Sequence, residues 1–278
     1  TEPDHNHNPQ AKPMITPNWI ENGEVARGLV FLHGVSGGAA GALELLPRLA
    51  APGWRTLAWD MPGYGASEPF EPDTPEGMGA YADALAELLD AAGLERAVLV
   101  GHSMGGMVAL QTAAAHPERV AGLVLACCTP AFGASAGAMQ QAFLDKRLGP
   151  LDEGASMREL AIDLIPGMVG PGGEAELVHD AVNLMEQIPP DSYRRALRAV
   201  VGFDQRSALA RIAVPALVIA GTHDKVSTPL VVRRMAERLP AGVYREIDAG
   251  HLAPFEEPAI FTALVREFLD GLDHIPVI

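Results

Sequence analysis

Residues 95–117 read ERAVLVGHSMGGMVALQTAAAHP, and this stretch decides the fold. Ala97–Val100 is an apolar, β-branched run of the right length for a fully buried strand. Met107–Ala115, rich in Ala, Leu and Met, reads as a helix. Between them Gly101-His102-Ser103-Met104-Gly105 has to turn a strand abruptly into a helix. A serine in so sharp a turn has neighbours two residues before and after it that crowd each other, and only glycine relieves the crowding. The serine hydroxyl then projects above the sheet, with the helix N-terminus beneath it supplying N–H groups and positive potential. Glycine and serine are common residues, so the strand–turn–helix context carries the specificity.

Working outward, strands and helices alternate. Leu29–Leu32 is a short strand running into the loop His33-Gly34-Val35-Ser36-Gly37-Gly38, and Ala39–Ala50 reads as a helix. Trp54–Asp60 is a second strand, followed by a turn around Pro62 and Gly63. Pro75–Ala92 has helical spacing through Ala82, Leu85, Ala86, Leu88 and Leu89. Val120–Cys127 is a further buried strand. The rhythm then changes: residues 130–205 lack buried strand runs and carry helical patterns broken by glycine and proline, such as Met157–Ile165 and Tyr193–Val201. Val214–Ala220 resumes the sheet, Leu230–Leu239 is a helix, Val243–Ile247 the last strand and Pro258–Leu272 an amphipathic closing helix. This alternation predicts βαβ units, hence an α/β fold with a mostly parallel central sheet flanked by helices. The expected organisation is a polar tail over 1–13, a core from 14–129 and 206–278, and a helical insertion over 130–205.

The whole chain agrees with a globular domain: 278 residues, 48% hydrophobic and 20% charged. No apolar run approaches the ~20 residues of a membrane span. The first residues, TEPDHNHNPQAKP, are polar and proline-rich, unlike a signal peptide, and their His5 and His7 read as part of a loose tail and not as a metal site. A formal net charge of −15 argues against nucleic acid and anionic membranes as partners. Cys127 and Cys128 are adjacent, so on a strand they point to opposite faces and do not bridge. The absence of a disulfide framework suits a reducing cytoplasm. Self-association is left open.

In an open parallel sheet, ligands gather beyond the carboxyl ends of the strands. The reactive side chains at such positions are His33, Asp60, Ser103, Asp224 and His251. Three of them form an acyl-transfer set in the order Ser, Asp, His. Serine is a poor nucleophile until a base takes its proton, histidine has the pKa to do so, and a carboxylate fixes its tautomer.

With these residues in place the chain resembles the α/β-hydrolases. The matching motifs run from His33-Gly34 through GHSMGG (101–106) and GTHD (221–224) to AGHLAPFEEP (249–258), in the family order and over nearly the whole chain from Gly28. The G-x-S-x-G turn is that family's nucleophile elbow. The resemblance implies Ser103 as nucleophile, Asp224 as orienting acid and His251 as base. It further implies the Val35 and Met104 backbone N–H groups as oxyanion hole, and residues 130–205 as a cap over the site. The nearest-looking members are serine esterases and 3-oxoadipate enol-lactonase-like enzymes, with no cofactor and no metal.

Each residue has a plainer rival reading. Asp224 competes with a helix-capping role, although Thr228-Pro229 offers another cap site. Asp60 by default stabilises its turn. His33 reads as a structural residue holding backbone carbonyls, and His102 as facing away from the hydroxyl and either packing or hydrogen-bonding locally. Cys128, Thr129 and Pro130 offer no acid after the preceding strand, which favours Asp224. Epoxide- and halide-processing relatives use aspartate at the elbow, where this chain has serine. Carbon–carbon hydrolases of aromatic-ring cleavage carry tryptophan after the base and asparagine before the nucleophile, where this chain has Leu252 and His102. The family's opening antiparallel hairpin has only Met14–Glu24 to form from, so a shortened one is expected.

The expectation is therefore a serine hydrolase of an ester or lactone of a small, largely apolar molecule. His33, Ser36, Met139, Phe143, Met168 and Leu252 are the candidate substrate contacts, with Leu164, Leu184 and Met185 as further lining. The alternatives are a carbon–carbon or amide hydrolase on the same triad, and a non-catalytic binder on the same fold.

Overall fold

The computed structural model describes residues 16–23, 27–133 and 137–272. The tail at 1–13, with His5 and His7, lies outside the described residues, as do Met14 and Glu24. Seven strands form one sheet: β1 (Asn18–Asn22), β2 (Arg27–Leu32), β3 (Trp54–Asp60), β4 (Ala97–His102), β5 (Val120–Ala126), β6 (Ala216–Gly221) and β7 (Gly242–Ile247). Their order is β1-β3-β2-β4-β5-β6-β7, and only β1 runs antiparallel, against β3. The expected opening hairpin is thus a single antiparallel strand paired with β3, because Asn18–Asn22 crosses to β3 and does not fold back onto β2.

The two faces of the sheet follow the period of two in each strand. Val30 and Leu32 of β2, Leu99 of β4 and Leu123 and Leu125 of β5 point into one core layer, which holds Tyr81, Leu85, Leu88 and Val108 from the helices Met78–Ala91 and Met104–Ala115. Leu29, Phe31, Val98, Val100 and Val124 point into the other, against Phe261, Val265 and Leu269 of the helix Pro258–Leu272. These central strands are buried on both faces, which is why they read as continuous apolar runs. Residues 39–50 differ from expectation. Gly41 and Pro47 interrupt the pattern, leaving a 3₁₀ turn at Ala39–Ala42 and one short helix at Leu46–Leu49.

Among the described residues, four α-helices lie between β5 and β6: Ala138–Asp152, Met157–Leu164, Ala175–Glu186 and Pro190–Val201. The second opens on the S-x-x-E pattern of a capping box. Ser156 Oγ accepts the Glu159 N–H at 3.2 Å, and the Glu159 carboxylate accepts the Ser156 N–H at 2.8 Å. The two ends of this segment meet: Ala131 and Asp204 form an antiparallel bridge, and the Gln205 N–H donates to Pro130 O at 2.8 Å. The chain leaves and rejoins the sheet at nearly one point. No described helix is long and apolar enough to cross a membrane.

Candidate active site

The turn at the end of β4 has the geometry its glycines suggested. Ser103 has φ 54° and ψ −118°, a left-handed conformation that is costly for a residue with a side chain. A Cβ at Gly101 would lie 2.4 Å from Gly105 O, and one at Gly105 only 2.0 Å from Leu32 O. The crowding is therefore between the two glycines and against the end of β2. It places Ser103 at the first turn of the helix Met104–Ala115, whose opening N–H groups have no partner within the helix.

Two loops from the far side of the sheet meet the serine. Asp224 follows β6 in the loop after Gly221 and His251 follows β7, and the loops are pressed together: a Cβ at Gly221 would lie 2.0 Å from Gly250 O. Ser103 Oγ stands 2.9 Å from His251 Nε2, and His251 Nδ1 stands 2.8 Å from Asp224 Oδ2. Asp224 and His251 are both buried. Asp224 Oδ1 meanwhile accepts the Val226 and Ser227 N–H groups at 2.7 and 2.9 Å, which fixes the carboxylate plane. With a carboxylate facing Nδ1, the imidazole proton sits there and Nε2 is left as acceptor for the serine O–H. The plainer reading of Asp224 as a cap for the following helix does not describe it. That helix starts at Pro229 and receives no side-chain cap.

His102 packs as one of its two readings had it, edge-on against Phe255 with ring centroids 5.7 Å apart, but its hydrogen bond differs from expectation. It does not bond locally: Nε2–H donates to the His251 carbonyl at 2.7 Å, across 149 residues, and its ring lines the same cavity as Ser103. Burial, and next the neighbouring His251, push its pKa down to about 3, so this imidazole is neutral. His33 is structural in the way expected. Nδ1–H donates to Gly34 O at 2.8 Å, and Nε2 accepts the Met61 N–H at 3.1 Å. Burial lowers its pKa as well. Asp60 ties its turn to the first strand and the glycine loop, accepting from Ala39 N–H at 2.7 Å and Asn18 Nδ2 at 2.8 Å.

Above Ser103 lies a cavity of about 490 Å³. Its floor includes Val35, Met104 and His251, and the helices between β5 and β6 contribute much of the wall. Of the expected substrate contacts, His33, Ser36, Phe143, Met168, Leu252 and Leu184 line it. Met139 does not. It is 52% exposed and lies against Gly133, so its selection as a contact is corrected. Leu164 and Met185 are also outside the lining, Met185 being wholly buried in the core. Residues that sequence reasoning missed include Leu177 and Ala181, which with Leu184 follow a spacing of four and three on one helix, and Leu197 and Val200 on the next. That periodicity was the available signal.

Cys127 Sγ, Asp224 and His251 lie within 4.8 Å of one another, a separation compatible with a shared metal ion. Their chemistry points elsewhere. Burial, then the nearby Asp224, pushes the Cys127 thiol well above its ordinary range, so it keeps its proton, while the carboxylate and imidazole already bond each other.

Comparison with known proteins gives the chain its family. Epoxide hydrolase A of Mycobacterium tuberculosis is 32% identical over 91% of this chain and 94% of its own. A pimeloyl-(acyl-carrier protein) methyl ester esterase of Photobacterium profundum is 31% identical over 87% of this chain and 94% of its own. The crystal structure of the enol-lactonase from Burkholderia xenovorans superposes with a TM-score of 0.81 at 25% identity, covering 92% of this chain and 97% of that one. The model of the alpha/beta hydrolase family matches residues 29–264, and the chain belongs to that family of hydrolytic enzymes.

Proposed function

We propose that the protein hydrolyses a carboxylic ester or lactone of a small, largely apolar molecule through an acyl-enzyme on Ser103. The observation that carries this reading is the unbroken relay from Ser103 Oγ through His251 to buried Asp224, opening onto a mainly apolar cavity. In the proposed step His251 Nε2 takes the Ser103 proton as Oγ attacks the carbonyl carbon, and Asp224 stabilises the resulting imidazolium. The negative charge on the carbonyl oxygen is met by the Val35 and Met104 N–H groups, each such donor typically contributing about 10²–10³ in rate. His251 then returns the proton to the departing alcohol. Water, deprotonated by the same imidazole, releases the acid. No metal or cofactor enters this sequence.

The helices over residues 130–205 act in this reading as a cap that covers the site and excludes water. The names of the methyl ester esterase and the enol-lactonase support ester and lactone chemistry, and the serine at 103 supports an acyl-enzyme over the epoxide opening that another relative's name states. Two adjacent, buried and unbridged thiols fit a reducing compartment, the cytoplasm.

Fluorophosphonate labelling followed by intact-protein mass spectrometry, run beside p-nitrophenyl esters of increasing acyl length, tests the reading. A single adduct on Ser103 with ester turnover is expected. An adduct without ester turnover moves the bond to a carbon–carbon or amide substrate. Neither adduct nor turnover leaves a non-catalytic binder.

A further inference from the structure

Glu256 closes the short helix Ala253–Glu256, just beyond His251, and its carboxylate is directed back at the histidine loop. Oε1 accepts the Gly250 and Leu252 N–H groups, each at 3.0 Å. Oε2 accepts the Gly250 N–H at 2.9 Å and the Gly170 N–H at 2.7 Å. One carboxylate thus holds the residues on both sides of His251 and, with the same oxygen, a residue from the segment between β5 and β6. His251 adds its own link, its N–H donating to Met168 O at 2.7 Å.

The approach is close because it is built from glycines. A Cβ at Gly170 would lie 2.8 Å from Gly250 N and 3.1 Å from Glu256 Oε2, and one at Gly250 would lie 2.5 Å from both Gly170 N and Met168 O. Gly167, three residues away, would meet nothing within 4 Å. The crossing is tight at Gly170 and Gly250 and open at Gly167. Three N–H donors converging on one carboxylate are charge-assisted bonds, stronger and shorter than neutral ones.

We propose that Glu256 is a positioning residue for His251, which it holds in register with Ser103 by tying the histidine loop to segment 168–170. The seating of the helical insertion and the placement of the imidazole are then a single equilibrium. This rests on the reading of His251 as the base, and the test below separates the two.

Glu256→Gln keeps the volume and replaces one acceptor by an amide that faces an N–H. Gly170→Ala keeps the Glu256 carboxylate and perturbs the same crossing from the other side, its Cβ pressing on Gly250 N and Glu256 Oε2. For each variant two quantities decide: kcat and KM on a p-nitrophenyl ester, and amide hydrogen exchange at 168–170 and 250–252. Both variants are expected to lose about 10- to 100-fold in kcat with KM within threefold of wild type, the scale of a small misplacement of a catalytic group. Exchange should accelerate in both segments together, and the double variant should be no worse than the poorer single one. Unchanged kcat with accelerated exchange overturns the positioning role. Acceleration in one segment alone overturns the coupling. A wild type without ester turnover rejects the proposed function, while the exchange data still decide whether the tie exists. Should Glu256→Gln fail to fold, Glu256→Asp and Gly170→Ala carry the same comparison.

Discussion

His102, the residue before Ser103, donates its Nε2–H to the main-chain carbonyl of His251 at 2.7 Å. The residue at the elbow therefore also supports the main chain of the histidine that faces it. The ring makes this bond as a neutral imidazole because burial, and next the adjacent His251, bring the His102 pKa down to about 3 from an ordinary value of 6.5, although the bond itself pulls the other way.

A pH dependence of stability follows. Between pH 6.5 and about 3 the unfolded chain protonates His102 and the folded one does not, so stability is fully present above the ordinary value and is lost as pH falls. Each such group weakens folding by up to about 1.4 kcal/mol per pH unit in that window. His33, also lowered by burial, acts in the same direction. Urea unfolding of wild type and His102→Asn at pH 7.5 and pH 5 should show the variant less stable at the higher pH but with a smaller loss on acidification. An equal loss in both proteins refutes the neutral buried ring.

Ser103→Ala removes one oxygen from the cavity floor and leaves the backbone turn in place. Turnover should fall by at least about 10⁴-fold, and the fluorophosphonate adduct should vanish. The melting temperature should hold or rise, since the left-handed turn remains and a hydroxyl at a strained site is removed. Activity within tenfold of wild type would assign the nucleophile elsewhere.

Asp224→Asn tests the relay behind the imidazole. Oδ1 accepts two backbone N–H groups and Oδ2 faces His251 Nδ1, so an amide that keeps the first contacts turns its NH₂ toward the ring. The imidazole then places its proton on Nε2, where it cannot accept from Ser103. A fall of about 10⁴-fold in kcat with little change in KM is expected from steady-state kinetics. Near-normal kcat would mean that another acid orients His251.

Much of this was legible in the sequence because steric and periodic rules act locally. The G-x-S-x-G turn had to look as it does: the Cβ that Gly105 lacks would have struck Leu32 O. Strands buried on both faces announced themselves as apolar runs. The hydrogen bond of His102 is not legible locally because its partner lies 149 residues away, a contact that no local pattern encodes. The same holds for Glu256, whose partner Gly170 lies 86 residues away in sequence. Met139 was chosen for its chemistry, but its position on the helix turned it to solvent.

The elbow glycine and an exposed one should respond oppositely to alanine. At Gly105 a Cβ would lie 2.0 Å from Leu32 O and 2.8 Å from His33 O, both backbone atoms that cannot yield without moving β2. Gly105→Ala should cost about 3 kcal/mol or more, or prevent folding. Gly79, in the helix Met78–Ala91, would meet nothing within 4 Å, so Gly79→Ala should stabilise by up to about 1 kcal/mol. Chemical denaturation of the two variants measures both signs.

Leu184 and Met139 together test whether the cavity sets the acyl group. Leu184 projects from the helix Ala175–Glu186 toward the glycine loop, its δ-carbons lying 3.7 and 2.7 Å from where side chains on Gly38 and Gly41 would begin. It fills the space between the helical insertion and the Ala39–Ala42 turn, and no backbone hydrogen bond depends on its side chain. Leu184→Ala should therefore lengthen the cavity without disturbing the relay. One methylene in an apolar pocket discriminates by about 1–3 kcal/mol, so the preference for longer p-nitrophenyl esters should rise by about tenfold or more in kcat/KM, with short esters falling. Met139→Ala, at an exposed position outside the cavity, should leave the chain-length profile unchanged. If Leu184→Ala shifts nothing while Met139→Ala does, the acyl group is bound from the outer face of the insertion and not in the cavity over Ser103.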